Sequence, residues 1–185
     1  MSVLRQLDDP SATALPDCLD AQIAVNEAMH VTFEQLQSLA REKAANSGLA
    51  DAAETGWATA WLEACGYGGV KLLTEALSEP SPPLRLERDA LGLDLHHVSC
   101  AVIGPAVARD VNQHGRVFLR NVRHGLFLLP FAVRENIGIG CPVDPAFALG
   151  GERSKNPYAE KLALADVNGL EIDDTAWVAF AALAG

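Results

Sequence analysis

VTFEQLQSLAREKAANSGLADAAETGWATAWLEACGYGGVKLLTEAL, residues 31–77, is the stretch on which the fold turns. Thr32 followed three residues later by Gln35 has the form of a capping box, in which hydroxyl and amide each satisfy an N–H group left unpaired at a helix start. Phe33, Leu36, Leu39, Ala40 and Ala44 then recur at helical spacing, and Gly48 stands where a left-handed residue ends a helix. A second helix runs from about Ala50 through Trp57, Trp61 and Ala64 to Gly66, and Val70–Leu77 makes a third. Trp57 and Trp61, four residues apart, share a face and with Leu62 predict a buried stripe. The result is a helical hairpin lobe over 30–79.

Outward from this lobe the pattern changes in both directions. Residues 1–29, with Pro10 and Pro16, read as an irregular arm, in which Asp20–Met29 has room for one short helix. On the other side Pro80, Pro82 and Pro83 can neither donate to a ladder nor continue a helix, which marks a linker. Beyond it, Pro105 begins a helix that ends at Gly115. Arg116–Val122 alternates as a half-buried strand, and Leu126–Leu129, Ile137–Cys141 and Lys161–Val167 read as further strands. Pro130 starts a short helix, Asn168-Gly169 is a tight turn, and Thr175–Leu183 is an apolar helix or strand. Helices first and strands later predict an α+β fold: the helical hairpin lobe packed on a small mixed β-sheet over 84–185, all one domain from residue 30.

Composition narrows the function. Apolar residues make up 49% and charged residues 21% of the 185, a globular balance. The net charge of −10, from 14 basic and 24 acidic residues, argues against nucleic acid, whose phosphates need clustered Lys and Arg. Met1–Gln6 lacks the basic start and apolar run of a secretion leader, and the longest apolar runs, Gly125–Val133 and Ala176–Ala184, are core-sized. The expected setting is the cytoplasm, with no membrane partner. Cys18, Cys65, Cys100 and Cys141 form no C-x-x-C pair and are expected to be reduced thiols. The Trp-bearing hairpin and the apolar Trp177, Val178, Phe180 and Leu183 predict a homodimer.

The hairpin also carries a likeness. Val31-Thr32-Phe33-Glu34, Gly56-Trp57-Ala58-Thr59-Ala60-Trp61-Leu62, the Gly66–Gly69 turn and Gly125-Leu126-Phe127-Leu128-Leu129-Pro130-Phe131 resemble an uncharacterised bacterial family, domain of unknown function family 3726. The resemblance covers about residues 30–165, implies a small bacterial protein, and supplies no activity. The same helices resemble the start of malate/lactate-type dehydrogenases with a non-Rossmann nicotinamide fold. Those enzymes place a functional histidine just after the second helix. Tyr67-Gly68-Gly69 occupies that place here, so a group able to exchange a proton near neutral pH is missing.

Chemistry-bearing residues are few. His96-His97-Val98-Ser99-Cys100, with Asp94, puts His96 and Cys100 on one face if helical, and His96 and His97 on opposite faces if extended. Neither gives a familiar zinc spacing, and no metal is expected. Arg116, Arg120, Arg123, His124 and Arg134 concentrate positive charge, and on a strand Arg116 and Arg120 share a face suited to a carboxylate or phosphate. Arg116, Arg120 and His124 are the candidate ligand-binding residues, for a small anionic ligand. Gly138-Ile139-Gly140 lacks the third glycine of a phosphate loop, and Gly150-Gly151 with Arg153, Ser154 and Lys155 reads as a flexible basic loop, with closure over an anion as the alternative to a plain loop. Tyr158-Ala159-Glu160-Lys161 is one residue short of a dehydrogenase dyad. With no catalytic residue and no cofactor implied, a non-catalytic protein for ligand sensing or protein interaction is expected. The alternative is an enzyme acting on a small anionic metabolite, with Arg116 and Arg120 as anchors.

Overall fold

The structure is a computed structural model that describes residues 28–80, 86–115, 117–136, 156 and 158–183. The expected arm over 1–27, the breaks at 81–83, the strand 137–141, the loop 150–155, Arg116, Cys18 and Cys141 all lie outside the described residues. The order is β1 (Met29–Val31), α1 (Phe33–Asn46), α2 (Ala52–Ala64), α3 (Gly69–Ser78), β2 (Glu87–Asp89), β3 (Gly92–Asp94), α4 (Cys100–His114) and β4 (Leu119–Arg120). A 3-10 turn (Gly125–Leu128), α5 (Leu129–Arg134), α6 (Ala159–Asn168), β5 (Leu170–Ile172) and α7 (Asp174–Ala181) complete it. The fold is α+β with a helical N-terminal lobe.

The capping box forms as written: the Gln35 N–H donates to Thr32 Oγ1 at 3.1 Å, and the Thr32 N–H donates to Gln35 Oε1 at 2.9 Å. Gly48, at φ +79°, ends α1, and Gly66, at φ +80°, ends α2. Helix α2 is the centre of the molecule, touching α1, α3, α4, α5, α6, β5 and the 3-10 turn. Enclosure on so many sides demands small residues. A Cβ on Gly56 would stand 2.7 Å from the Gln37 carbonyl oxygen of α1, and one on Gly69 would stand 2.1 Å from the Thr59 carbonyl oxygen. Trp61 and Leu62 are buried, while Trp57 is only half-buried, so the stripe reaches the surface at one end.

The second half corrects several expectations. Helix α4 begins at Cys100, capped by Ser99, and Pro105 lies inside it rather than at its start. Lys161–Val167 is not a strand but most of α6. Ala, Glu, Lys and Leu are strong helix formers, and the alternation of Leu162 and Leu164 is incidental to that propensity. Leu126–Leu129 is not a strand but the 3-10 turn running into α5, with Pro130 in the first helical turn. Of the strand expected over Arg116–Val122, the described residues keep Leu119–Arg120, because Asn121 turns left-handed at φ +51° and ends the extended run. The stretch 174–181 is helical, with Asp173 accepting from the Ala176 N–H.

Two small sheets tie distant parts of the chain. β1 pairs antiparallel with β5, Met29 opposite Ile172, so Met29 belongs to the fold and not to an arm. β3 lies between antiparallel β2 and parallel β4, a mixed sheet. Two lysines close helix ends across the fold. Lys43 Nζ donates to the carbonyls of Ala181 and Leu183 at the end of α7, and Lys161 Nζ donates to that of Cys65 at the end of α2. Burial pushes the Cys65 thiol up to about 11, which leaves it protonated at neutral pH, and Cys65 is a free thiol.

Pro105 creates one debt, and α2 settles it. A proline has no N–H, so the Ala101 carbonyl one turn back loses its helical partner. Thr55 Oγ1 of α2 donates to that carbonyl at 3.0 Å, in a fully buried bond. Thr55→Val should therefore leave a buried acceptor unpaired and cost about 1–3 kcal/mol in a urea melt. In a Pro105→Ala background, where residue 105 again carries an N–H, the same change should cost much less. Additive losses in the four-variant cycle would refute this account of the proline.

Candidate functional site

Two regions hold the candidate side chains. The first is a pair of facing loops, 95–99 and 121–124, at the N-terminus of α4. They are laced by His97 N–H to the Asn121 carbonyl at 3.0 Å, Cys100 N–H to the Arg123 carbonyl at 2.9 Å, and a bridge between Ser99 and Arg123. His96, His97, Asn121 and His124 are all left-handed, at φ +47°, +60°, +51° and +49°. Four such non-glycine residues in two adjoining loops hold backbone strain in one place.

Here lie two of the expected ligand residues. Arg120 is engaged by Asp89 at 2.5 Å and Asp94 at 3.7 Å. The amide of Asn121 and the His96 N–H hold the Asp94 carboxyl below its ordinary value. His124 sits elsewhere in the loop pair, its Nδ1 2.8 Å from Ser99 Oγ and its Nε2 3.9 Å from Glu75. The two expected residues thus belong to different clusters, and Arg116 lies outside the described residues. His96 lies in a turn, near Glu87 at 3.4 Å and Asp94 at 3.8 Å, while Cys100 is buried in α4. Among the described residues no group of three or more His, Cys, Asp or Glu could hold a metal.

The Ser99–His124 pair has the composition of a nucleophile and its base, so its surroundings decide what it can do. Ser99 Oγ accepts from the Ala101 N–H and also meets Nδ1, donating to it or accepting from it according to the His124 tautomer. An acyl transfer also needs backbone N–H groups free to receive an oxyanion. The Cys100 N–H is taken by the Arg123 carbonyl, that of Ala101 by Ser99 Oγ, and that of Val102 by the Ser99 carbonyl. None of these three donors is open to an oxyanion, and the pair joins the two loops. Ser99 was legible only as a neighbour of His96 and His97; its partner is 25 residues away.

The second region is a cleft of about 600 Å³, lined among the described residues by Phe33, Trp57, Trp61, Val133, Arg134, Asn156, Leu162, Ala163 and Asp166. That volume lies in the range of small-ligand sites. The exposed end of the tryptophan stripe forms one wall, and Trp61 is braced edge-on by Tyr158 at 4.8 Å. The Arg134 guanidinium lies over the Trp57 ring at 4.4 Å, with Glu54 at 2.8 Å and Glu135 at 3.0 Å. Burial opposes its charge, yet the two carboxylates outweigh burial and hold it above its ordinary value.

Searches of family models, curated proteins and solved structures find no match to this chain.

Burial, and then the neighbouring Arg123, lower the His124 pKa from 6.5. Unfolded, the ring takes a proton as the pH falls below about 6.5; folded, it resists, so stability drops from there down through the lower folded value. His124→Asn keeps a residue that tolerates positive φ and removes this titration. The variant should lose on the order of 1 kcal/mol at pH 7.5. Its further loss between pH 7.5 and 5.5 in urea melts should be smaller than that of the parent; an equal or larger loss would show that His124 is not the group.

Proposed function

We propose that this chain is a non-catalytic binding protein that holds a small ligand in the cleft beside Trp57 and Trp61. The observation that carries the reading is the exposed end of the tryptophan stripe. A helix that buries Trp61 and Leu62 leaves Trp57 half-open, and Trp57, Phe33, Val133 and Leu162 line the cleft with a few polar groups among them. The pairing of the arginines supports it as well. Arg88, Arg109, Arg120, Arg123 and Arg134 are all paired, with Asp110, Asp51, Asp89, Glu79 and Glu54 respectively. A catalytic role for Arg120 as an anion anchor has less to draw on, since its carboxylate partners are already in place. Kinship with domain of unknown function family 3726 is part of the proposal and adds no activity to it.

Indole serves as a neutral, flat probe. Calorimetric or NMR titration should show saturable binding, lost in Trp57→Ala and in Ala163→Phe, where a ring grown from an exposed lining residue fills the space without disturbing the core. No saturation in the parent chain, or unchanged binding in Ala163→Phe, would overturn the reading.

We also propose that the chain forms a homodimer. Leu164, Val167 and Val178 are 54%, 81% and 59% exposed on α6 and α7, large apolar groups that a second copy can cover. Light scattering at tens of micromolar should give twice the 19.6 kDa chain mass, and Val167→Glu should return it to one. A 19.6 kDa species in the parent protein would exclude the dimer.

A further inference from the structure

Resting on that cleft reading, we infer that its ligand is an organic cation, an amine carried on a flat or apolar body. Arg134 invites the opposite conclusion, so its charge must be followed. Its guanidinium is stacked on Trp57 at 4.4 Å and on Phe131 at 5.4 Å, and is paired with both Glu54 and Glu135. One cation thus stands against two carboxylates before any ligand arrives. An incoming anion would have to compete with Glu54 and Glu135 for the same donors.

Asp166 tips the balance further. It lines the cleft from the exposed face of α6, and among the described residues it has no hydrogen bond and no ion pair. The nearest other cation on its helix, Lys161, is tied to the Cys65 carbonyl at 3.0 Å and lies over the Tyr67 ring. Among the described lining residues, then, the charged groups are Arg134, already held by Glu54 and Glu135, and Asp166, whose negative charge stays open. The chain as a whole, at −10, reinforces that sign. Aromatic walls add to it, because a ring face attracts positive charge through its quadrupole, and Trp does so best. An open carboxylate beside indole walls is the chemistry that receives an ammonium group while its carbon body covers Trp57, Val133 and Leu162.

Tryptamine and indole-3-acetate share one ring and differ in the sign of the charge they carry at pH 7.5, so they separate this inference from the reading beneath it. Tryptamine should bind about tenfold more tightly than indole-3-acetate. Asp166→Asn, a surface change at an unpartnered side chain, should narrow that gap, and added salt should narrow it too. Equal or tighter binding of indole-3-acetate would overturn the cation and leave the cleft standing. A gap that Asp166→Asn does not change would also overturn it, since the carboxylate named here would not be the group responsible. Absence of binding by indole and by both derivatives would remove the cleft itself.

Discussion

The enclosure of α2 is the constraint on which the rest of the molecule depends. A helix surrounded on so many sides has no water to satisfy polar groups and no room for large ones. Its sequence answers both demands: Gly56, Ala58 and Ala60 let neighbours approach, and the hydroxyls of Thr55 and Thr59 find buried acceptors. Thr55 does more than satisfy itself. By donating to the Ala101 carbonyl it makes the proline inside α4 tolerable, and thereby lets α4 run unbroken from Cys100 to His114. The two helices are matched in chemistry as well as in shape.

Around that axis the chain closes on itself through contacts of long reach. Lys43 of α1 covers the end of α7, Lys161 of α6 covers the end of α2, and β1 pairs with β5. Each places a donor or strand from one end of the chain against an orphaned acceptor or edge from the other. The cleft follows from this arrangement. Helices α5 and α6 flank the end of α2 where Trp57 emerges, so an aromatic wall meets the paired Arg134 on one side and the open Asp166 on the other.

The hairpin was legible because its signals are local. A capping box acts over three residues, and a left-handed glycine ends a helix by its own backbone freedom. The second half was harder to read. In Leu162 and Leu164 a period of two coincides with helix-forming residues, and burial cannot separate a short apolar run in a strand from one in a 3-10 turn. Alternation does not reveal that Asn121 turns left-handed, so the strand it suggests runs on past Arg120. Of the expected ligand residues, Arg120 and His124 were correctly seen as neighbours in sequence, but their partners, Asp89 and Ser99, lie 31 and 25 residues away.

By itself the sequence determined the α+β class, the capped hairpin, the tryptophan spacing and the acidic balance, all of which depend on residue type and short separation. Only the tertiary structure decided which charges are spent and which remain open. Pairing is a matter of distance in space: Arg134 looks like a free cation until Glu54, 80 positions earlier, is found beside it. Asp166, indistinguishable in sequence from the other acids, is left facing a cleft because the helix that carries it turns Ala165 and Leu162 to the core and Asp166 outward.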